Sequence, residues 1–132
     1  MIVLDASAVV ELVTGTERGA SIARRIADPA VGLHAPHLID VEVTQALRRY
    51  ERGSDLEEGE AAAALGAFLE LDLERHDHGP LLARVWQLRA NLTAYDAVYV
   101  ALAEALDAPM VTCDARLARA GRGAVAAGGR RG

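Results

Sequence analysis

Two aspartates follow short aliphatic segments that have the composition of buried β-strands. Asp5 comes directly after Ile2 to Leu4, and Asp114 comes one residue after Met110 to Thr112. A carboxylate at such a position commonly caps the following helix, because it accepts hydrogen bonds from free backbone N–H groups. The same position also suits a ligand for a cation at the edge of a sheet. Taken alone, each aspartate leaves both interpretations open.

Two further acids lie in predicted helices. Asp96 follows Thr93 by three residues in the pattern of a capping box, although the first turn of a helix also favours an ionised carboxylate. Glu42 caps nothing, and helical spacing puts it about 90° from the centre of the apolar stripe of its helix. Asp40 lies about 70° from that centre on the other border, so angular position does not choose between Asp40 and Glu42.

Carboxylates from separate segments that meet at one place would repel one another by several kcal/mol. A hard divalent cation reverses this repulsion, because Mg²⁺ and Mn²⁺ prefer clustered oxygen ligands. The sequence therefore predicts a Mg²⁺ or Mn²⁺ site that contains Asp5, Asp96 and Asp114, together with an acid of the helix that carries both Asp40 and Glu42.

The predicted elements indicate the fold class. We predict strands at Ile2–Leu4, Val31–Ala35, Leu71–Glu74 and Met110–Thr112 with one more strand in the tail, and helices at Ala6–Val13, Glu17–Ala27, Leu38–Arg52, Leu56–Leu69, Pro80–Ala90 and Thr93–Leu106, with a short helix after Asp114. Strands separated by helices pair in parallel through right-handed crossovers, so we expect a three-layer α/β/α sandwich with a central parallel sheet. Ligands of such sheets bind at the carboxyl ends of the strands, where Asp5 and Asp114 are predicted to lie.

The composition predicts a single cytoplasmic domain. The chain has 132 residues, 52% of them hydrophobic, and one cysteine. It shows neither a long uncharged apolar run nor a signal-peptide pattern, so we expect a soluble protein without disulfides or membrane contact. The net charge of −5 argues against a nucleic-acid partner, but committing four acids to a metal site would leave the rest nearly neutral. We expect residues 1–127 to form one domain and residues 128–132 to be a disordered tail.

Four histidines have the spacing of zinc ligands. His34 and His37 occur in "HAPH", and His76 and His78 occur in "HDH". No cysteine pair completes a set, so we interpret all four as solvated loop histidines.

A cysteine and a basic helix end are the remaining candidates for chemistry. No histidine is tied to Cys113 by a recognisable motif, so we interpret it as a small buried side chain rather than a nucleophile. Arg48, Arg49 and Arg52 form the basic end of the helix that carries Glu42. We favour a solvated helix terminus over contacts with phosphates for these arginines.

Four segments together resemble a known family. They are "IVLDASAVVELV", "APHLIDVEVTQAL", "LTAYDAVYVALAEAL" and "APMVTCDARLARAG". In this order and spacing they resemble the PIN domain, and more closely the VapC-type toxins of bacterial toxin-antitoxin systems, over nearly the whole chain. The resemblance implies a Mg²⁺- or Mn²⁺-dependent endoribonuclease that inhibits translation or growth. It also implies a homodimer that a cognate antitoxin holds inactive by inserting a segment into the active-site groove.

The resemblance also implies roles for individual residues. The four acids of the family fall on Asp5, Glu42, Asp96 and Asp114 as metal ligands and catalytic residues, which selects Glu42 over Asp40. The two small hydroxyl residues fall on Ser7 and Thr112 in supporting positions. Some members of the family carry one more acid just after the fourth, but this chain has Ala115, Arg116 and Leu117 there.

Two other classes of protein are alternatives. A phosphatase of the haloacid-dehalogenase type needs a second aspartate two residues after the first, and this chain has Ser7 at that position. A PIN-fold protein that has lost cleavage and acts as an RNA-binding or interaction module is the stronger alternative. The presence of all four acids argues against it, and an RNA cleavage assay separates the two.

Overall fold

A parallel sheet in the strand order β3-β2-β1-β4-β5 organises the protein. The computed structural model describes residues 1–121 and the backbone of residues 124–126. The strands in this part of the chain are β1 (Ile2–Leu4), β2 (Leu33–Pro36), β3 (Leu73–His76), β4 (Met110–Thr112) and β5 (Ala124–Ala126). The helices are α1 (Ala6–Thr14), α2 (Glu17–Arg25), α3 (Leu38–Arg52), α4 (Glu58–Glu70), α5 (Leu82–Gln87), α6 (Ala94–Leu106) and α7 (Ala115–Ala120), and a 3-10 helix (Gly79–Leu81) precedes α5.

The helices cover both faces of the sheet. The chain moves from β1 to β2 to β3 in one direction and then returns across the sheet to β4 and β5. Right-handed crossovers therefore put α1 to α4 on one face and α5 to α7 on the other. The contacts agree, since α1 packs against α2, α3 and α4, while α5 packs against α6. The predicted three-layer α/β/α sandwich is confirmed.

The core is densest around β1 and α6. Val3 and Leu4 of β1 are fully buried, and every residue of α6 from Ala97 to Ala103 is buried. On the other face, α2 lies so close to α1 that a Cβ on Gly19 would collide with the Glu11 carbonyl oxygen, so glycine is required there. The sheet, with α6 on one face and α1 on the other, thus holds the end of β1 in a fixed position.

Several predicted element boundaries are wrong by about two residues. β2 begins at Leu33 rather than Val31, because a turn continues that far: the Val31 N–H donates to the Asp28 carbonyl oxygen at 2.9 Å. β3 begins at Leu73 because Leu71 still closes the end of α4 with a hydrogen bond to the Phe68 carbonyl oxygen. The helix predicted from Pro80 is shorter, because a 3-10 turn precedes α5.

The end of the chain is described only in part. The predicted last strand is present as β5, which pairs with β4 in parallel. The predicted domain boundary at residue 127 and the predicted tail at residues 128–132 lie outside the described residues. None of the described helices has the length and apolar character that crossing a lipid bilayer requires.

Candidate active site

The carboxyl ends of β1 and β4 lie side by side. Val3 pairs with Met110 and Leu4 pairs with Val111. In the same register, Asp5 lies level with Thr112 at the end of β4. β1 and β4 are also the two strands from which the chain departs in opposite directions, to β2 and to β5. A crevice forms at such a point in an open parallel sheet, and ligands bind there.

Asp5 is held in this crevice by three hydrogen bonds. Its Oδ1 accepts from the Ser7 hydroxyl at 2.8 Å and from the Ala8 N–H at 3.0 Å. Its Oδ2 accepts from the Thr112 hydroxyl at 2.6 Å. Asp5 therefore caps α1 and also presents a carboxylate to the crevice. The side chain is only 5% exposed, and this burial raises the pKa of its carboxyl group.

Ser7 and Thr112 connect the two loops that follow β1 and β4. The Ser7 hydroxyl oxygen accepts a hydrogen bond from the Cys113 N–H at 3.0 Å. The Thr112 hydroxyl oxygen accepts one from the Asp114 N–H at 3.0 Å. Each hydroxyl thus donates to Asp5 and accepts from the loop after β4, which fixes the distance between the first and the fourth acid of the predicted set.

Glu42 approaches the crevice from α3. Its Oε1 accepts a hydrogen bond from the Tyr99 hydroxyl at 2.7 Å. Partial burial raises the pKa of the Glu42 carboxyl group, and the negative charges of Asp96 and Asp5 raise it further. Asp40 instead pairs with the Arg75 guanidinium at 2.7 Å, between α3 and β3. The geometry therefore separates Glu42 from Asp40, which sequence periodicity alone did not do.

Asp96 and Asp114 share one arginine. The Arg116 guanidinium donates to Asp96 Oδ2 at 2.9 Å, and the same nitrogen lies 3.6 Å from Asp114 Oδ2. Asp114 Oδ1 caps α7 by accepting from the backbone N–H groups of Arg116 and Leu117. Half of the predicted capping box is present, because Thr93 accepts from the Asp96 N–H, but the Asp96 carboxylate is directed to Arg116.

All four predicted acids line one cleft of about 670 Å³. Asp5 and Asp114 come from strand ends, Glu42 from α3 and Asp96 from the first turn of α6. Basic and aromatic side chains also line this cleft, among them Arg18, Arg49 and Tyr95. The fold thus brings the four carboxylates together, while their roles in binding and catalysis stay a prediction.

The donor set of the cleft fits a hard divalent cation. It consists of carboxylate and hydroxyl oxygens, which Mg²⁺ and Mn²⁺ prefer to nitrogen or sulfur. The raised pKa values of Asp5 and Glu42 show that their negative charges are unfavourable without a nearby positive charge. Arg116 supplies such a charge at Asp96 and Asp114, and no ion pair among the described residues includes Asp5 or Glu42. The remaining pair, Asp5 and Glu42, therefore stands to gain most from a bound cation.

Sequence reasoning missed two residues that line the cleft and an arginine that contacts two of its acids. The helical spacing of Tyr95, Val98, Tyr99, Leu102 and Leu106 predicts only an apolar stripe on this helix, yet the Tyr99 hydroxyl donates a hydrogen bond to Glu42. Tyr95 was predicted on the same stripe, but it is 64% exposed because it lies in the first turn of α6, at the cleft. At Arg116 the sequence showed only that this chain lacks the further acid that some family members carry just after the fourth. A guanidinium two residues after Asp114 was the available signal, because position two of a short helix lies close to its capping residue.

The interpretations of the cysteine and the basic helix end have different outcomes. Burial raises the pKa of the Cys113 thiol to about 11, so it stays protonated at neutral pH and is a poor nucleophile. Of the arginines at the end of α3, Arg49 lines the cleft, which favours the phosphate-contact interpretation at that position.

The histidine interpretation is wrong for two positions. His34 lies in β2 and is 8% exposed, and His76 lies in β3, so neither is a solvated loop residue. At His76 the error comes from the predicted strand end at Glu74, because β3 continues to His76. His34 already falls inside the predicted strand Val31–Ala35, so the loop interpretation disagreed with the predicted strand at that position.

A parallel α/β sandwich with four acids at the carboxyl edge of its sheet defines the class of protein. The sequence matches the PIN domain family over residues 2–123, and the chain belongs to that family. It is 46% identical to ribonuclease VapC1 of Mycobacterium tuberculosis over 119 residues, which are 89% of each chain. The resemblance to VapC-type members of the PIN family is thereby confirmed.

Solved structures share the fold at low sequence identity. One is VapC20 of M. tuberculosis, described as a toxin that cleaves the sarcin-ricin loop, with a TM-score of 0.69 and 17% identity over 92% of this chain and 95% of that one. Another is VapBC2 of Rickettsia felis bound to a DNA fragment from its promoter, with a TM-score of 0.66 and 16% identity over 96% of this chain and 99% of that one.

Proposed function

We propose that this protein is a Mg²⁺- or Mn²⁺-dependent endoribonuclease that acts as the toxin of a toxin-antitoxin pair and inhibits translation or growth. The observation that carries the proposal is the meeting of four carboxylates from four separate segments in one cleft. The name of the relative that is 46% identical, a ribonuclease, supports RNA as the substrate.

Asp5, Glu42, Asp96 and Asp114 are the residues that would hold the cation. A bound Mg²⁺ or Mn²⁺ supplies a water of lowered pKa and offsets the charge that grows on the cleaved phosphodiester. The side chains around it set the geometry. Ser7 and Thr112 keep both oxygens of Asp5 oriented, and the Tyr99 hydroxyl orients Glu42.

RNA would enter the cleft along its basic and aromatic lining. Arg18 and Arg49 are exposed on the cleft, where they can neutralise phosphates on either side of the scissile bond. The exposed ring of Tyr95 offers a surface on which an unpaired base can stack. These contacts would give an acidic chain two positive groups at the place where RNA enters.

A cleavage assay tests the proposal. Purified protein is incubated with single-stranded and structured RNA in Mg²⁺, in Mn²⁺ and in EDTA, and the ends of the products are mapped. We expect cleavage only with the metals, giving 5′-phosphate and 3′-hydroxyl ends because water, and not the ribose 2′-hydroxyl, would attack the phosphorus and the 3′-oxygen would leave. Binding of RNA without any cleavage would instead support the catalytically silent PIN-fold module.

The same proposal includes an antitoxin partner, a homodimeric state and a location in the cytoplasm, where cellular RNA is available. The similar fold of VapBC2 supports a partner protein. Co-expression with the product of a small upstream reading frame, followed by light scattering of the purified material, tests the partner and the oligomeric state. We expect a complex that contains both chains and has lost RNA cleavage, and a homodimer when the chain is expressed alone.

A further inference from the structure

A second group of ligand atoms lies between β2 and β3, away from the acidic cleft. His34 in β2 is paired in register with Glu74 in β3, and His76 follows two residues later on the same strand. His34 Nδ1 lies 2.9 Å from His76 Nε2. The Glu74 carboxylate faces both rings, with Oε1 at 4.0 Å from His34 Nδ1 and Oε2 at 3.9 Å from His76 Nε2. None of the three residues lines the acidic cleft.

We propose that His34, Glu74 and His76 form a binding site for a divalent transition metal ion, with Zn²⁺ as the expected ion. A tetrahedral Zn²⁺ at about 2.0–2.1 Å from each ligand atom needs those atoms about 3.4 Å apart. The observed separations of 2.9, 3.9 and 4.0 Å lie on both sides of that value. The site therefore needs the two rings to separate slightly and the carboxylate to move inward.

These adjustments fall on side chains that can move. The Glu74 side chain is 69% exposed, so it can approach the rings by rotation while β3 stays in place. The His34 side chain is 10% exposed and is held by the sheet, which gives the site one fixed ligand. Burial also lowers the pKa of His34, so its ring is neutral at pH 7, as a metal ligand must be.

The choice of ligands separates this site from the acidic cleft. Two imidazole nitrogens with one carboxylate suit Zn²⁺ and its neighbours in the transition series, whereas an all-oxygen set suits Mg²⁺ or Mn²⁺. Three protein ligands leave the fourth tetrahedral position for water, on the exposed side at Glu74. Bound metal would join the edge strand β3 to β2, so the chain would use two cations of different chemistry at two places on one sheet.

Co²⁺ and Zn²⁺ binding to the purified full chain test this inference. Co²⁺ in a tetrahedral site with nitrogen ligands absorbs visible light far more strongly than octahedral Co²⁺ bound to oxygens, so its spectrum distinguishes this site from the acidic cleft. The test variants are His76→Gln and Glu74→Gln, which leave the buried His34 in place. The matched control is His37→Gln, because His37 contacts Asp77 and not the cluster.

We expect wild type and His37→Gln to bind one Co²⁺ with the tetrahedral spectrum and to melt at a higher temperature in Zn²⁺. Both test variants should lose the spectrum and the Zn²⁺-dependent shift, while their circular dichroism and their melting in EDTA stay like those of wild type. Absence of the tetrahedral spectrum in wild type, or its persistence in His76→Gln, would overturn the inference. Neither result depends on RNA cleavage, so the metal site between β2 and β3 and the proposed function can each be contradicted without the other.

Discussion

The carboxylates at the two ends of the acidic cleft differ in the groups that surround their negative charges. At the Asp5 end, formed by Asp5, Ser7 and Thr112, hydrogen bonds fix a buried carboxylate, and no cationic side chain among the described residues forms an ion pair with it. At the Asp96 end, formed by Asp96, Asp114 and Arg116, a guanidinium pairs with two more exposed carboxylates. The Asp5 end is rigid and has no paired cation among the described residues, whereas one arginine partly compensates the two negative charges of the Asp96 end.

This difference predicts which carboxylates are already positioned to bind a cation. Hydrogen bonds to Asp5 hold its geometry without cancelling its charge, so the free energy gained on metal binding should be greatest there. At the Asp96 end, a cation must compete with Arg116 before the same oxygens can serve it. One end of the cleft thus has a carboxylate that hydrogen bonds already hold in place, and the other has two carboxylates paired with an arginine.

Removing the charge at the Asp5 end should have the largest effect. We expect Asp5→Asn to reduce RNA cleavage to the background measured in EDTA, because the fixed ligand of the cation is lost. The fold should persist, since an asparagine oxygen still accepts from the Ala8 N–H and caps α1. Gel-based cleavage assays and circular dichroism provide the measurements. Asp40→Asn is the matched control on α3 and should keep full activity, because Asp40 pairs with Arg75 outside the cleft.

Removing one support of Asp5 should have the next largest effect. Thr112→Val deletes the hydroxyl that donates to Asp5 Oδ2 and keeps the shape of the side chain. We expect metal affinity or cleavage to fall by about 10–100-fold, the usual cost of losing a residue that orients a metal ligand. The free energy of unfolding should fall by about 1–3 kcal/mol, because a buried carboxylate loses a donor. Thr44→Val, on the exposed side of α3, is the control; equal activity of the two variants would argue against a fixed Asp5.

The support of Glu42 should matter less, because this side chain is only half-buried. Tyr99→Phe removes the hydroxyl that donates to Glu42 Oε1 and keeps the ring in the core. We expect a loss of cleavage of about tenfold, in line with about 1.5 kcal/mol for a hydrogen bond to a charged group. Titration of the Mg²⁺ dependence should show the loss as a higher Mg²⁺ requirement. A Mg²⁺ requirement identical to that of wild type would mean that Tyr99 does not position Glu42.

Releasing the Asp96 end should have the smallest effect and the opposite sign. Arg116→Ala frees Asp96 and Asp114 from their guanidinium, so Mn²⁺ affinity should rise by about two- to fivefold, the range expected for exposed ion pairs. Calorimetric titration of Mn²⁺ measures the change. Arg119→Ala, one turn later on α7, is the control and should leave the affinity unchanged. Weaker Mn²⁺ binding in Arg116→Ala would show that the guanidinium supports the site instead of competing for it.

Local sequence patterns predicted the rigid end of the cleft better than the paired end. Asp5 directly follows three buried aliphatic residues, so its place at the edge of the sheet follows from strand burial and parallel pairing. Arg116 could not be predicted in the same way, because its pairing with Asp96 joins two helices, α7 and α6, that are separated in sequence by β4. Helical periodicity alone did not choose between Asp40 and Glu42, although the family resemblance did, because the choice depends on which border of α3 meets Tyr99 and which meets Arg75.

The histidines show the same limit in the sheet. His34 and His76 are far apart in sequence and meet only because β2 and β3 pair in register. The predicted strand Leu71–Glu74 stops two residues short of His76, so the contact of His76 with the buried His34 was not predicted.

Mn²⁺ binding tests the central claim most directly. It is measured for wild type and for Asp5→Asn as the loss of the electron paramagnetic resonance signal of free Mn²⁺. Both proteins are titrated without RNA, so that the result reports on the carboxylates alone. The preorganised Asp5 end predicts that wild type binds Mn²⁺ and that Asp5→Asn binds it at least about tenfold more weakly. Equal binding by the two folded proteins would contradict the assignment of Asp5 as the fixed ligand of the cleft.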